Sequence, residues 1–365
     1  MSPLLIASLV LSGLAQDAPS PGGPDETRAL FLAQCATCHG DDGGGKGVTV
    51  LPRPARSFLD GGFSYGNTRE AIMRTVTHGI PGTPMPGFSA ALDEAQRESL
   101  VEYVISLGPE RKEVKPKETA LAVGSRAQVV RGFLPGVIEG APEFPRGLLV
   151  GLPTGTTFQY RADDIRLIAV RQGEFVERRD WGGRGGNPLN PLGRVTFLCD
   201  EGRPDSTFTQ GTSSFSARLG STRIESGLAR IAYRILDGSG EVVARVAETP
   251  RNRTTTFGAG FERHFVIFAE RDVKGLEMDV LNRIGEVLPI GAELDGTRLT
   301  TTASRAADGS VLAVAVSGPE GLGSAGDRLV LDLNKGTTTE LSVTLVATAQ
   351  WTEEVALALS KEIAQ

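Results

Sequence analysis

Apolar and polar positions change rhythm twice along this chain. An almost unbroken apolar run, LLIASLVL, opens it and ends in the small residues Ser12, Gly13 and Ala15. Polar, Pro-rich sequence follows from Asp17 to Pro24. Helical spacing then takes over. Leu30, Phe31 and Ala33 share one face of a segment that Asp25 is expected to cap and that runs to about Ala36. A second helix is predicted from Thr68 to Thr77. A third runs from Leu92 to Leu107, with Leu100, Val101, Val104, Ile105 and Leu107 along one side. Between the first two, Asp41 to Gly62 is dense in Gly and Pro and has few side chains of its own to bury, so it is read as a loop wrapping some other body.

From about Ala120 the period shortens. Apolar, β-branched runs predict strands at 128–134, 156–160, 165–170, 194–198, 231–235 and 242–246, and again at 264–269, 297–302, 311–316, 329–333 and 338–347. Turn residues such as Asp237-Gly238 and Asp308-Gly309 separate them. A closing amphipathic helix is expected over 352–363. The pattern therefore reads as a multidomain chain, a small all-α domain followed by an all-β, sandwich-like region. The expected boundaries are a signal peptide at 1–15, a flexible leader at 16–24, the helical domain at 25–109 and a charged, Pro-interrupted linker at 110–120. The β region, one large or two small domains, takes 121–365.

Charge and composition narrow the class. Of 365 residues, 40% are hydrophobic and 22% charged, as in ordinary folded proteins, and the formal net charge of -6 supplies no basic footprint for nucleic acid. The opening apolar run is shorter than a membrane span requires, and no later run is longer, so no membrane span is expected in the mature chain. Export to a periplasmic or secreted location with cleavage near Ala15 is the expectation; an uncleaved N-terminal anchor is the alternative.

Three cysteines do not make a disulfide framework. Two of them stand in Cys35-Ala36-Thr37-Cys38-His39, the CxxCH pattern in which each thiol adds to a haem vinyl group and the histidine ligates iron. Two intervening residues on a helical turn bring both sulfurs to one edge of a porphyrin. A thioredoxin-like pair would need a βαβ setting and a zinc site would need further cysteines. One covalent haem c is thus predicted. For the sixth ligand, Met85 sits in the Gly- and Pro-rich loop 79–88, where prolines fix the backbone and a soft thioether favours reduced iron. His78 is the competing ligand. Its other reading is an exposed histidine at a helix C-terminus.

These motifs, with Leu30-Phe31 before Cys35-Ala36-Thr37-Cys38-His39-Gly40, the glycines of 43–47, Gly82-Thr83-Pro84-Met85-Pro86 and a closing helix with Tyr103, make residues 29–108 resemble the class I cytochromes c. The resemblance implies a one-electron carrier whose first and last helices cross, placing Leu30, Phe31, Tyr103 and Leu107 in contact. On this reading Pro52, Phe63, Tyr65 and Phe88 line the haem, and Arg53 or Arg56 pairs with a propionate.

The β region offers one histidine, His264, and one cysteine, Cys199, and no triad spacing, so no catalytic residue is assigned. Cys199 follows an apolar strand and is read as a buried, inert thiol. The segment 178–187 holds Trp181 among arginines and glycines. It is the candidate partner-binding loop, against the plainer reading of a surface loop. Two functions remain open. One is an electron carrier whose β region docks it to redox donors and acceptors that the sequence does not name. The other is a secreted oxidoreductase whose β region binds or oxidises a small substrate such as a sugar or alcohol.

Overall fold

The computed structural model describes residues 23–51, 53–61, 63, 69–109, 119–178, 188–199, 205–281, 286–288, 290–293, 299–305, 309–325 and 328–364. The expected signal peptide, most of the leader, most of the linker, and Pro52, Tyr65 and Trp181 lie outside these residues.

Five helices are described: α1 (Pro24–Gln34), α2 (Ala36–His39), α3 (Arg69–His78), α4 (Glu94–Ser106) and α5 (Glu353–Ile363). The first does not start on an Asp25 cap. Gly23 is its N-cap and Pro24 opens it, because a proline has no N–H to leave unpaired in the first turn. Asp25 and Glu26 then lie inside that turn, where negative charge favours the helix dipole. The helix predicted from Leu92 begins two residues later. Asp93 accepts from the Gln96 backbone while the Gln96 side chain accepts from the Asp93 backbone, a reciprocal cap that fixes the start.

The expected crossing of α1 and α4 is present. Phe31 is fully buried, with its ring 5.1 Å from that of Tyr103 and 6.3 Å from that of Phe58, and Leu30 and Leu107 pack on the same cluster. Phe31→Ala should therefore cost about 3–5 kcal/mol, the usual loss for a large core aromatic. Chemical denaturation of the holoprotein followed at the haem absorbance measures it; a loss below about 1 kcal/mol would deny Phe31 its keystone place.

The rest of the described chain is β-rich. A small sheet joins β1 (Ala120–Leu121), β6 (Val176–Glu177) and β7 (Asn190–Pro191). A five-stranded antiparallel sheet runs β2 (Gln128–Leu134), β3 (Phe144–Gly151), β4 (Thr156–Arg161), β5 (Arg166–Gln172), β8 (Arg194–Leu198). A 13-stranded sheet holds β9 (Phe208–Gln210), β10 (Ser213–Glu225), β11 (Leu228–Leu236), β12 (Val242–Thr255), β13 (Gly258–Ala269), β14 (Val273–Met278) and β15 (Glu286–Val287). Its remaining strands are β16 (Ala292–Glu293), β17 (Leu299–Arg305), β18 (Val311–Ser317), β19 (Gly323–Ala325), β20 (Arg328–Leu333) and β21 (Thr338–Thr348). Leu148, Phe158 and Tyr160 from the five-stranded sheet share one buried apolar cluster with Ile231, Phe261, Phe265 and Val343 from the large one. Alternating apolar positions face this core, which is the physical content of the period-two pattern.

Strand cores match the apolar runs; β2 and β8 coincide with theirs, while several other strands outrun them. The run at 242–246 continues as β12 to Thr255, through Pro250 and the polar residues 251–254, because β13 pairs with it in unbroken register from Ala244↔Ala269 to Thr255↔Gly258. The longest strands absent from the prediction are β10, whose alternation is mostly polar, and β3, whose Pro145 and Gly147 read as turn residues; β14 and several strands of two or three residues are absent from it too. The closing helix α5 forms as expected, with Thr352 accepting from the Val355 backbone at its N-cap.

Candidate functional site

The CxxCH segment is built on a break between two helices. Cys35 ends α1, the backbone N–H of Cys35 still bonding to Phe31, and Ala36–His39 forms one further turn closed by Gly40 at φ +80°. The following glycines fold back over this turn. Gly45 N–H donates to the His39 carbonyl at 2.7 Å and Gly47 N–H to the Cys38 carbonyl at 3.1 Å. A Cβ at Gly47 would sit 2.2 Å from the Thr37 carbonyl oxygen, so this approach admits only glycine.

His39 is held on two sides. Its Nδ1 lies 2.9 Å from the Arg56 carbonyl oxygen. A carbonyl only accepts, so Nδ1 carries the proton and Nε2 keeps its lone pair for another partner. The ring also stacks on Phe58 at 4.5 Å and 18°. Burial lowers the imidazole pKa below its usual value, against the opposing effect of the Arg56 carbonyl, so the neutral, ligating form is favoured. Cys35 and Cys38 are half-buried thiols not bonded to one another. Burial, and then the nearby Cys38, push the Cys35 thiol up to about 12.

Met85 is half-buried in a loop tied to itself. Ile80 N–H donates to the Met85 carbonyl at 3.2 Å, Thr83 N–H and Oγ1 both donate to the Ile80 carbonyl, and Met85 N–H reaches Thr83 Oγ1 at 3.3 Å. Phe63 and Phe88 are half-buried against the helical core, with the Phe63 ring 5.9 Å from that of Phe58. Arg53 and Arg56 are exposed. What Arg56 brings to His39 is its backbone carbonyl, a role invisible in a sequence because every residue has one. Phe58 was likewise missed: one aromatic in a Gly- and Pro-rich loop carries no periodic signal.

One expectation is corrected. His78 ends α3 but is half-buried, not exposed. Burial, followed by the charges of Arg97 and Arg74, lowers its pKa, which disfavours the cation expected on the helix C-terminus. In the β region Cys199 is buried as expected, and His264 Nδ1 lies 3.0 Å from Ser342 Oγ across the β13–β21 pair.

Two thiols one helical turn apart and an imidazole whose Nδ1 is already engaged fit a c-type haem. The family described as cytochrome c oxidase, cbb3-type, subunit III matches residues 22–104. Cytochrome c55X of Stutzerimonas stutzeri is 36% identical over 103 residues, which cover 28% of this chain and 84% of that protein. The chain belongs to the class I c-type cytochromes. The membership is carried by its N-terminal part, and the remainder of this cytochrome is the β-rich region described above.

The dihydro-heme d1 dehydrogenase of Pseudomonas aeruginosa is 29% identical over 199 residues, 53% of this cytochrome and 36% of the dehydrogenase. The cytochrome thus spans about a third of the length of that relative, and 34% of a cbb3-type oxidase subunit CcoP from Azospirillum brasilense. A solved dihydro-heme d1 dehydrogenase, NirN in complex with DHE, aligns over 86% of this chain and 98% of its own, with a TM-score of 0.17 and 12% identity. That overlay is too loose to indicate a shared fold. Among the described residues no helix is long and apolar enough to cross a membrane.

Proposed function

We propose that this cytochrome carries one haem c, attached through Cys35 and Cys38 and ligated axially by His39 and Met85, and that it passes single electrons between redox partners. The observation that carries this reading is the His39 ring: its Nδ1 is committed to the Arg56 carbonyl, and Nε2 is left as the donor. Haem iron supplies the one-electron couple; the chain's part is to fix the ligands, bury one face of the site and exclude competing donors. With His39 and Met85 both holding the iron, no open position would remain on it for a substrate. The β-rich region, whose two larger sheets share one core in a sandwich-like manner, is the docking part of the molecule. Export to the periplasm accords with the N-terminal apolar run. The domain division at about 110–120 follows the same reading.

Attachment is tested by mass. The mature holoprotein should carry one haem that survives denaturation and acid extraction, and Cys35→Ser/Cys38→Ser should release all of it. A haem that extracts freely from the unaltered chain would overturn the covalent assignment.

One observation favours a second reading. The resemblance to the dihydro-heme d1 dehydrogenase covers 199 residues, more than the 22–104 match alone, and so reaches beyond the cytochrome part. On that reading the β-rich region oxidises a small organic substrate and the haem collects the electrons. Haem reduction on adding candidate sugars, alcohols or reduced tetrapyrroles to the oxidised protein would support it. An unreduced haem across such a panel leaves the carrier reading.

A further inference from the structure

The loop that carries Met85 is seated on the β-rich region at both its ends and its apex. Thr254, near the end of β12, donates from Oγ1 to the His78 carbonyl at 2.7 Å, and Asn252 Nδ2 reaches the same oxygen at 3.5 Å. That carbonyl closes α3, where helix carbonyls lack an intrahelical partner. Asn252 is oriented in turn by Thr156, whose hydroxyl donates to its Oδ1 at 2.9 Å. At the apex, Thr83 pairs antiparallel with Ala259, just inside β13.

Three glycines flank Met85, and each lies against the β-rich region. A Cβ placed on Gly79 would meet the Ala259 Cβ at 2.6 Å; on Gly82, the Thr196 carbonyl oxygen at 2.5 Å; on Gly87, the Thr254 Cγ2 at 2.5 Å. Gly79 and Gly82 also have φ of +71° and +79°, which alone would favour glycine. Gly87 does not have a left-handed backbone, so its lack of a side chain answers to space. At Gly79 and Gly87 the chain's own backbone is about as close, the Met85 and Thr77 carbonyl oxygens each at 2.6 Å, so bareness there serves the loop's own fold as well as its seat on the β sheets.

We propose that the β12–β13 turn is a clamp on the sixth-ligand loop, with Thr254 and Ala259 as positioning residues. The clamp rests on the Met85 ligation proposed above. A loop held at His78 and Thr83 keeps its thioether at the iron, and a loop freed there samples positions in which the sulfur leaves it. The β-rich region thereby sets how firmly the iron is closed, and the two parts of the chain act as one redox unit.

The test uses the full-length holoprotein with Thr254→Val, Thr254→Ser, Ala259→Val and Met85→Ala. Carbon monoxide is the probe, because it binds ferrous haem only when the sixth position is vacant. Loss of one hydrogen bond should raise the released population, and with it the carbon monoxide association rate, about tenfold in Thr254→Val. The reduction potential should fall, since a weakened sulfur ligand favours the reduced state less. Thr254→Ser keeps the donor and should restore both readouts. Ala259→Val, which crowds Gly79, should act as Thr254→Val does.

In a Met85→Ala background the Thr254→Val change should add nothing. If Met85→Ala opens the iron while Thr254→Val and Ala259→Val leave rate and potential at wild-type values, the clamp is overturned and the ligation stands. If Met85→Ala itself changes neither, the ligation is overturned and the clamp with it.

Discussion

Glu248→Ala is expected to destabilise the β-rich region by about 3–5 kcal/mol, the cost of leaving a buried charge without its partner. Glu248 and Arg263 are 0% and 1% exposed, joined at 2.8 Å between Oε1 and Nε. Tyr160 Oη donates to the same Oε1 at 2.8 Å, and the Arg263 guanidinium lies over the Tyr160 and Phe265 rings at 5.9 and 5.1 Å. Burial alone would lower the Arg263 pKa, and the adjacent Glu248 carboxylate more than offsets it, holding the arginine charged. Removing only the carboxylate strands that charge inside the main core. Thermal unfolding monitored by tryptophan fluorescence and calorimetry reads the loss. The paired change Glu248→Leu/Arg263→Met should restore much of it, because an apolar pair of similar volume avoids desolvating two ions. A single variant as stable as the parent would show that the pair is not buried as described.

His39→Ala should produce the larger functional effect, complete loss of the low-spin haem spectrum. On the proposed ligation the imidazole would be the donor to the iron, and the 35–58 segment holds no other histidine or methionine to take its place. Phe58→Ala should act in the same direction and more weakly, since it removes the ring stacked on His39 at 4.5 Å but leaves the Arg56 hydrogen bond. Optical spectra with and without added imidazole separate the cases. Imidazole should rescue His39→Ala, filling the vacant donor position, and should not alter Phe58→Ala. A low-spin spectrum in unrescued His39→Ala would move the ligand elsewhere.

The helical part was legible in the sequence to within a few residues, because its motifs are short and local. A CxxCH run, an apolar helix face and a loop with Met85 between prolines each stand out within about fifteen positions, whereas the cap expected at Asp25 did not form. The partner of His39 was not legible, because a backbone carbonyl leaves no mark on residue type. In the β-rich region the apolar centres of strands were readable, while their polar extensions were not. Residues 251–255 are strand because β13 pairs with them, and pairing is a property of two segments. The glycines around Met85 show the same limit from the other side. They read as turn residues, and their close approach to Ala259, Thr196 and Thr254 appears only once two distant parts of the chain are brought together.

Met85 is the point on which the account turns, and oxidised holoprotein offers the direct measurement. A low-spin ferric spectrum should include the sulfur-to-iron charge-transfer band, and Met85→Ala should abolish that band while His78→Ala leaves it in place. A band that persists in Met85→Ala, or one lost in His78→Ala alone, would contradict the His39/Met85 haem and the closed electron carrier built on it.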